Sequence, residues 1–119
     1  MPGIDKTINY IEFPLTNPAE TKRFYEDAFG WTFEEWGPNY LSFSGAGIGG
    51  GFNGEDKRPV GAPGVLVVLF AQNLEATLES VRHAGAKIVQ DIYSFPGGRR
   101  FHFTDPNGNE LAIWAEVAQ

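Results

Sequence analysis

The sequence predicts an α+β protein made of two βαβββ modules, and three observations support this prediction. Each half of the chain contains one stretch with helical periodicity among several stretches of alternating apolar and polar residues. Each helical stretch follows an asparagine suited to capping a helix. The two halves also resemble each other at a constant spacing of 56 residues, as from Asn17 to Asn73 and from Thr21 to Thr77. A repeat at fixed spacing indicates that one structural unit occurs twice.

Module one is expected to cover about residues 6–52. Residues 6–15 alternate in polarity and predict the first strand. Asn17 then caps a helix with capping-box spacing, and Gly30 is placed for the left-handed residue that ends it. The remaining strands are expected near residues 31–36, at 40–44 and within the glycine-rich stretch 45–52.

The glycine-rich stretch, residues 45–52, has two interpretations. Glycine-rich loops can bind phosphate, but this stretch matches neither the P-loop pattern nor a dinucleotide-binding pattern that opens a helix. Glycine also permits close approach of another backbone or of a ligand. We therefore expect an edge or inner strand at which such an approach occurs.

The polar residues 53–63 predict a linker, after which the pattern of module one starts again. Module two is expected to cover about residues 64–116, and the whole chain is expected to form one domain. Its elements should be a buried strand at residues 64–70, a helix capped by Asn73 and ended by Gly85, and a strand at residues 87–95.

The last two strands of module two flank the turn Asp105-Pro106-Asn107-Gly108. They should form an antiparallel pair that ends a sheet. Alternation places the apolar residues Phe101 and Phe103 on one face, and Arg100 and His102 on the other. The second face, which should also carry Ala112 and Trp114, is therefore the one on which we look for function.

Composition limits the partners and the compartment. The chain has 119 residues, a formal net charge of −6 and no cysteine. An acidic chain is a poor partner for nucleic acid or for an anionic membrane, both of which select basic surfaces. No apolar run approaches the length of a membrane span, and the N-terminus lacks the features of a signal peptide. We therefore expect a cytoplasmic protein that binds neither nucleic acid nor membrane.

Three sequence motifs carry a resemblance to a known family: residues 24–31 (FYEDAFGW), 84–86 (AGA) and 103–109 (FTDPNGN). In this order, within a two-module repeat, they resemble the vicinal oxygen chelate superfamily, also called glyoxalase/bleomycin resistance protein/dioxygenase. The subgroup that the chain resembles contains small predicted enzymes related to lactoylglutathione lyase. The resemblance implies a curved mixed sheet with helices on its outer face, a concave cavity, a homodimer and, usually, one bound metal ion.

The resemblance also assigns the usual metal ligands to four positions. They fall on Tyr10, on Leu66, on Ala112 and within residues 49–51, which are all glycine. Leucine, alanine and glycine side chains cannot ligate, whereas zinc and hard divalent cations need several imidazole, carboxylate or thiolate donors. We therefore predict that the usual metal site is lost and that no cofactor is bound.

Two residues are candidates for acid–base chemistry. Glu12 lies among apolar strand residues, where a carboxylate has a raised pKa that suits a general acid or base. Its alternative role is an ion pair with Arg99 or Arg100. His102 could act as a general acid or base or as an isolated ligand; alternatively, it is a half-exposed strand histidine hydrogen-bonded to a neighbour.

The remaining candidates are predicted to bind a ligand. Aromatic side chains could stack on a planar molecule, or could simply fill the floor of the cavity. The predicted ligand-binding residues are Tyr10, Phe52, Leu66, Arg100 and Trp114. The leading hypothesis is a metal-free protein that binds a small organic molecule. The alternative is a lyase, isomerase or dioxygenase-like enzyme that uses Glu12 and His102, or a metal bound in an unconventional way.

Overall fold

A computed structural model of the chain describes residues 3–55, 59–60 and 64–117. The chain divides into two compact units, residues 1–59 (unit one) and residues 60–119 (unit two). Within the described residues, each unit contains one four-stranded mixed sheet and one helix. The prediction of an α+β protein with two βαβββ modules is confirmed.

The elements follow the predicted order. Unit one contains β1 (Tyr10–Pro14), α1 (Pro18–Phe29), β2 (Thr32–Glu35), β3 (Tyr40–Ser44) and β4 (Gly49–Asn53). Unit two contains β5 (Val67–Phe70), α2 (Leu74–His83), β6 (Lys87–Phe95), β7 (Gly98–Thr104) and β8 (Glu110–Glu116). Neither helix of the described residues is long and apolar enough to cross a membrane.

Three boundaries differ from the predictions. The first strand covers only Tyr10–Pro14 instead of residues 6–15, and β5 begins at Val67 instead of residue 64. Both shortened strands pair only with the last strand of their unit: β1 matches the five residues of β4, whereas β5 pairs with only part of β8. The predicted linker begins one residue later than expected, because β4 includes Asn53; residues 56–58 and 61–63 of that linker lie outside the described residues.

Both sheets have the same topology, with strand orders β1-β4-β3-β2 and β5-β8-β7-β6. The first strand of each unit pairs in parallel with the last strand, and the other pairs are antiparallel. The β7–β8 pair therefore lies in the middle of its sheet, and the expectation that it ends the sheet is wrong. The physical reason is that the second edge of β8 forms a parallel ladder with β5.

Asparagine caps fix the start of both helices. The Asn17 side chain accepts a hydrogen bond from the backbone N–H of Glu20 at 3.2 Å, and the Asn73 side chain accepts one from Ala76 at 3.0 Å. These bonds satisfy donors that the first helical turn leaves without a partner. Gly30 ends α1 with a φ of 74°, a left-handed conformation that glycine adopts without strain.

Aromatic rings form the core of unit one. Tyr25 of α1 is fully buried, with its ring centroid 4.7 Å from that of Trp31 and 5.1 Å from that of Phe52. Phe13 stacks on Phe52 with 5.0 Å between centroids, and Phe43 stacks on Trp31. These residues identify the face of the unit-one sheet that packs against α1.

The core of unit two is mostly aliphatic. Its fully buried side chains alternate along β7 and β8, and α2 adds further buried residues; they are Phe101, Phe103, Leu111, Ile113, Leu74 and Val81. Arg99 has the same parity as Phe101, and its guanidinium donates to the carboxylate of Glu75 on α2. This contact identifies the face of the unit-two sheet that packs against the helix.

Candidate ligand-binding site

Each sheet has a second face, opposite its helix, which we call the helix-free face. In unit one it carries Tyr10, Glu12, Tyr40, Ser42, Gly51 and Asn53, and in unit two it carries Phe70, Tyr93, Arg100, His102, Ala112 and Trp114. Strand alternation alone produces this segregation, because successive side chains point to opposite faces of a sheet. The chemically versatile side chains of both units lie on these faces.

Four neighbouring strands of unit two contribute one residue each to a continuous row on the helix-free face. Phe70 pairs with Trp114, Trp114 pairs with Arg100, and Arg100 pairs with Tyr93. The ring centroids of Phe70 and Trp114 lie 5.3 Å apart in an edge-to-face arrangement. Phe70 is 55% exposed, so this end of the row is open to solvent. We call these four residues the aromatic row.

Two rings hold the guanidinium of Arg100. Its central carbon lies 5.5 Å from the ring centroid of Tyr93 and 5.6 Å from that of Phe95, which is within the range of cation–π attraction. Its Nε donates a hydrogen bond to the Tyr93 hydroxyl. Among the residues that the structure describes, no carboxylate lies within ion-pair distance of Arg100, and its two terminal nitrogens have no hydrogen-bond partner.

His102 is hydrogen-bonded through both ring nitrogens. Its Nδ1 lies 2.8 Å from a carboxylate oxygen of Glu110, and its Nε2 lies 3.0 Å from the Tyr93 hydroxyl. An arginine N–H can only donate, so the Tyr93 oxygen accepts from Arg100. When neutral His102 carries its proton on Nδ1, the Tyr93 O–H donates to His102 Nε2. The Nδ1–H of His102 then donates to Glu110. The chain of hydrogen bonds runs in one direction, from Arg100 to Glu110.

A glycine makes room for Trp114. Gly98 lies two residues before Arg100 in the β7 strand, on the same face. A Cβ atom placed on Gly98 would collide with the backbone carbonyl of Ala115 and would also lie 3.2 Å from the indole of Trp114, which is tighter than ordinary packing. The indole also packs on Phe95, with 6.2 Å between ring centroids. Gly98 therefore helps to set the position of the largest ring in the row.

The helix-free face of unit one is polar. Glu12 accepts hydrogen bonds from the Tyr40 hydroxyl at 2.8 Å and from the side-chain amide of Asn53 at 3.2 Å. The Tyr40 O–H is directed to Glu12, so the bond of 2.5 Å between the two hydroxyls has Tyr10 as its donor. Burial raises the pKa of Tyr40, and the bonds to Tyr10 and Glu12 raise it further. Tyr40 therefore stays protonated as the link between Tyr10 and Glu12.

Glycines of β4 permit close packing on both sides of this inner strand. A Cβ atom on Gly51 would lie 2.5 Å from the Tyr40 hydroxyl on the helix-free face. A Cβ atom on Gly50 would lie 2.8 Å from a ring carbon of Phe43 on the opposite face. The glycine-rich strand thus allows side chains of β3 to lie across it, and the close approach expected from the sequence comes from these rings and from neighbouring backbone.

The structure places the predicted site residues on the two helix-free faces, with the exception of Leu66 and Phe52. Arg100, His102 and Trp114 share the helix-free face of unit two, and Tyr10 and Glu12 share that of unit one. Leu66 immediately precedes β5 and is half-buried. Phe52, which we expected to stack on a ligand, lies fully buried in the core; it pairs with Phe13, so it points towards α1 while Gly51 pairs with Glu12.

The predicted alternative for Glu12 was an ion pair with Arg99 or Arg100. Arg99 instead donates to Glu75, and Arg100 donates to Tyr93. The donors to Glu12 described above are neutral side chains of its own sheet. The alternative for His102, a strand histidine hydrogen-bonded to neighbours, describes its contacts correctly, although its side chain is only 13% exposed.

Sequence reasoning missed several residues of the two faces. They are Tyr40 and Asn53 in unit one, and Phe70, Tyr93, Phe95 and Glu110 in unit two. The matching parity of Tyr93 and Phe95 in the β6 strand was a signal that could have identified both. The pairing of Tyr93 with Arg100 depends on strand register, which β6 changes twice through irregularities before this pair.

The four positions that the family resemblance assigns to metal ligands do not fit a metal. Leu66, Ala112 and the glycines at 49–51 have no side-chain donor atoms, and the phenol of Tyr10 is hydrogen-bonded to Tyr40. Within residues 3–55, 59–60 and 64–117, no three His, Cys, Asp or Glu side chains come together in a way that could hold a metal ion. The donor chemistry that zinc or a hard divalent cation requires is therefore missing from these positions.

Solved structures with the same fold come from several bacteria. A glyoxalase-related enzyme from Fulvimarina pelagi aligns with a TM-score of 0.80 at 17% identity, over 93% of this chain and 88% of that one. A glyoxalase/bleomycin resistance protein/dioxygenase family enzyme from Burkholderia phytofirmans PsJN aligns with a TM-score of 0.77 at 15% identity, over 92% and 98%. TnmS3, an antibiotic binding protein from Streptomyces sp. CB03234, aligns with a TM-score of 0.70 at 17% identity, over 97% and 100%.

Sequence comparison identifies the family. A search of curated proteins found no match to the chain. The sequence pattern of the Glyoxalase/Bleomycin resistance protein/Dioxygenase superfamily, in contrast, matches residues 7–113, which is most of the chain. The protein therefore belongs to the glyoxalase/bleomycin resistance protein/dioxygenase superfamily.

Proposed function

We propose that this protein binds a small, partly apolar organic molecule on the helix-free face of unit two, without a metal at the family's usual positions. The observation that carries the proposal is the aromatic row, in which Phe70, Trp114, Arg100 and Tyr93 lie side by side across four strands. Binding sites for small molecules are typically lined by apolar and aromatic side chains with a few polar groups that set orientation.

The row offers a surface on which a planar molecule can stack. Phe70 is 55% exposed, and its neighbour Val68 on the same face is 40% exposed. Aromatic pairs contribute about 0.5–1.5 kcal/mol beyond the burial of their area. A ligand that covers these side chains would also remove apolar surface from water, at about 25 cal/mol per Å². Both terms favour a flat, partly apolar ligand.

The structural comparisons supply one precedent for binding without a stated reaction. TnmS3 is described as an antibiotic binding protein, and it shares this fold at 17% identity. The emptied metal-ligand positions point in the same direction, since the metal-dependent reactions of the superfamily need ligands that Leu66 and Ala112 cannot provide.

The test is a binding screen with planar aromatic compounds, followed by isothermal titration calorimetry of any compound that raises the melting temperature. We expect Trp114→Ala to weaken binding by about tenfold or more, because stacking and apolar contact are both lost. Trp36→Ala is the matched control, since Trp36 is 61% exposed in unit one, outside the row. Equal weakening by both substitutions, or binding that survives Trp114→Ala, would contradict the proposed site.

The metal-free part of the proposal has its own test. Thermal melts with chelator and with Zn²⁺, Ni²⁺, Mn²⁺ or Fe²⁺ should coincide. A metal at about 1,000 times its Kd would add roughly 4 kcal/mol of stability, which is a shift of many degrees for a chain of this size. A saturable shift with one metal would contradict the proposal and would direct attention to glyoxalase or dioxygenase assays.

A second candidate is a lyase or isomerase that uses Glu12 and His102. The observation that favours it is the directed chain from Arg100 through Tyr93 to His102 and Glu110. Tyr93 could pass its proton to His102 Nε2 and then take a proton from a substrate, while Glu110 stabilises the imidazolium. Hydrogen bonds from Tyr40 and Asn53 orient the carboxylate of Glu12 in the same way.

The enzyme candidate predicts that His102→Gln and Glu12→Gln each lower turnover by about 10²–10⁴-fold, the usual contribution of general acid–base catalysis. His83→Gln is the control, because His83 is exposed at the end of the α2 helix. Turnover that is unchanged in both variants would eliminate this candidate.

The homodimer and the cytoplasmic location both remain predictions. Sedimentation equilibrium tests the first: a dimer has twice the 13.1 kDa mass of the chain. A single species of 13.1 kDa at micromolar concentration would contradict it.

A further inference from the structure

We propose that Arg100 selects ligands that carry an anionic oxygen group, such as a carboxylate, attached to a planar apolar body. This inference rests on the proposed function, because it names the chemical class of the molecule that the aromatic row would bind.

Arg100 has no counter-ion among the described residues. Arg100 is half-buried, yet no carboxylate of the described residues pairs with it. Its neighbour in sequence gives the contrast: Arg99, on the helix side of the same strand, binds the carboxylate of Glu75 through both terminal nitrogens, at 2.6 and 3.1 Å. Partial burial of a cation without a partner is unfavourable, and an anionic ligand would relieve it.

Part of the Arg100 guanidinium remains available to a ligand. Nε donates to the Tyr93 hydroxyl, and the rings of Tyr93 and Phe95 hold the group in place. Both terminal nitrogens, with four N–H donors, therefore have no partner among the described residues. A guanidinium with free donors suits a carboxylate, which it can bind through two parallel hydrogen bonds.

Arg100 lies next to the stacking surface. Arg100 and Trp114 are direct cross-strand partners, so that their Cβ atoms lie about 5 Å apart on one face. The Phe95 ring borders both groups, since its centroid lies 5.6 Å from the central guanidinium carbon and 6.2 Å from the ring centroid of Trp114. An aromatic acid can therefore place its ring against Trp114 while its carboxylate meets Arg100.

The hydrogen-bond chain behind Arg100 makes this arrangement rigid. Tyr93 is held by His102, and His102 is held by Glu110. Because each group is fixed by the next, the guanidinium is oriented before a ligand arrives, which lowers the entropic cost of binding. Tyr93 is accordingly a positioning residue for Arg100, and its hydroxyl has no need to touch the ligand.

The experiment compares two probes that differ only in charge, 1-naphthoate and 1-naphthamide, by calorimetry at pH 7 on the full chain. We expect naphthoate to bind about tenfold to a hundredfold more tightly, the range of a charge-assisted hydrogen bond. Arg100→Gln should reduce this preference to near onefold, whereas Arg99→Gln should retain it. Tyr93→Phe should lower the preference by a smaller factor, because it removes the anchor but leaves the charge.

Each outcome separates the two proposals. If both probes bind equally and Trp114→Ala weakens both, the selection of anions by Arg100 is wrong, although the binding face stands. If a preference for naphthoate persists in Arg100→Gln, another cation is responsible and the inference fails. If neither probe binds at millimolar concentration, both proposals fail for planar aromatic molecules. If Arg100→Gln does not fold, the selection of anions is tested with Arg100→Lys and with the ratio of the naphthoate and naphthamide affinities in the wild-type protein.

Discussion

The two helix-free faces share an organisation but differ in the residue that begins it. In unit one, Tyr10 donates to Tyr40, and Tyr40 donates to Glu12. In unit two, the chain of donors runs from Arg100 through Tyr93 and His102 to Glu110. Both chains end at a carboxylate, but the first begins with a neutral phenol and the second with a cation.

This difference separates a face that satisfies its own polar groups from one with an unmatched charge. Asn53 also donates to Glu12, so that the unit-one carboxylate is well supplied with donors from its own sheet. In unit two, the terminal nitrogens of Arg100 have no partner among the described residues, and aromatic rings surround them. The comparison teaches that two units with the same backbone pairing can carry different side chains on their helix-free faces, so that one unit offers a cation to a ligand and the other does not.

The largest expected effect concerns the core of unit one, on the other side of the sheet. Phe52→Ala should lower the free energy of unfolding by about 3–5 kcal/mol, because it removes a fully buried ring from contact with Phe13 and Tyr25. Urea denaturation measures this loss. Trp36→Ala, at an exposed position, should change stability by less than about 0.5 kcal/mol. A stable Phe52→Ala variant with impaired ligand binding would restore the predicted stacking role of Phe52.

A smaller effect tests how unit one closes its polar face. Gly51→Ala should cost about 1–3 kcal/mol, since the new methyl group collides with the Tyr40 hydroxyl and the Leu41 carbonyl. Gly49→Ala is a matched control in the same strand and on the same face, where a Cβ atom would meet nothing closer than 3.6 Å. Chemical denaturation of both variants gives the comparison, and equal stabilities would mean that β4 does not need glycine at position 51.

The phenol chain itself should be visible in alkaline solution. Because the pKa of Tyr40 is raised above its ordinary value of 10.0, its contribution to stability is complete below pH 10 and is lost as the pH rises through the value in the folded protein. Phenolate absorbance should show a late ionisation step for Tyr40. Tyr40→Phe should abolish that late step and cost about 1 kcal/mol. A late step that persists in this variant would assign it to another tyrosine.

The smallest effect belongs to an exposed ion pair on the helix side of unit two. A hydrogen bond from Arg99 lowers the pKa of Glu75 below its ordinary value of 4.5. The pair therefore stabilises the protein above about pH 4.5, and this contribution is lost as the pH falls through the lowered value. Glu75→Gln should reduce the change of melting temperature between pH 3 and 5 by a small, salt-sensitive amount, and Arg99→Gln should do the same. Additive effects in the double variant would mean that the pair does not interact.

Local signals were sufficient to predict most of the fold. Asn17 and Asn73 cap the helices as expected, and alternation located β3 and β6 at the predicted residues. The constant spacing of 56 residues relates the first strand and the helix of each unit. The spacing fails for the last strand, because β6 and β7 are longer than β2 and β3. Phe52 and Ile113 pair with equivalent residues of the first strands, but the distance between them in sequence exceeds the constant spacing by five residues.

The candidate site was less predictable, because its contacts depend on register between distant strands. Alternation correctly grouped Arg100 with His102 and Trp114. Alternation could not predict that Tyr93 pairs with Arg100, because their strand pair contains two register shifts. It also could not predict that Tyr40 lies across β4 and contacts Glu12. Phe52 was misplaced for a related reason: the three glycines before it have no side chains to alternate, so the face on which Phe52 lies could not be read from alternation.

The position of the last strand in each sheet also affects how the protein is made. During synthesis, β1 leaves the ribosome about 40 residues before β4, its only neighbour in the sheet. In the same way, β5 leaves the ribosome well before its only neighbour, β8. Until that strand emerges, the other three cannot join into one sheet, and edges that pair in the folded unit stay open. Unpaired edges of this kind favour association between nascent chains. A slow stretch of translation just before β4 or β8 would therefore prolong the most vulnerable stage of biosynthesis.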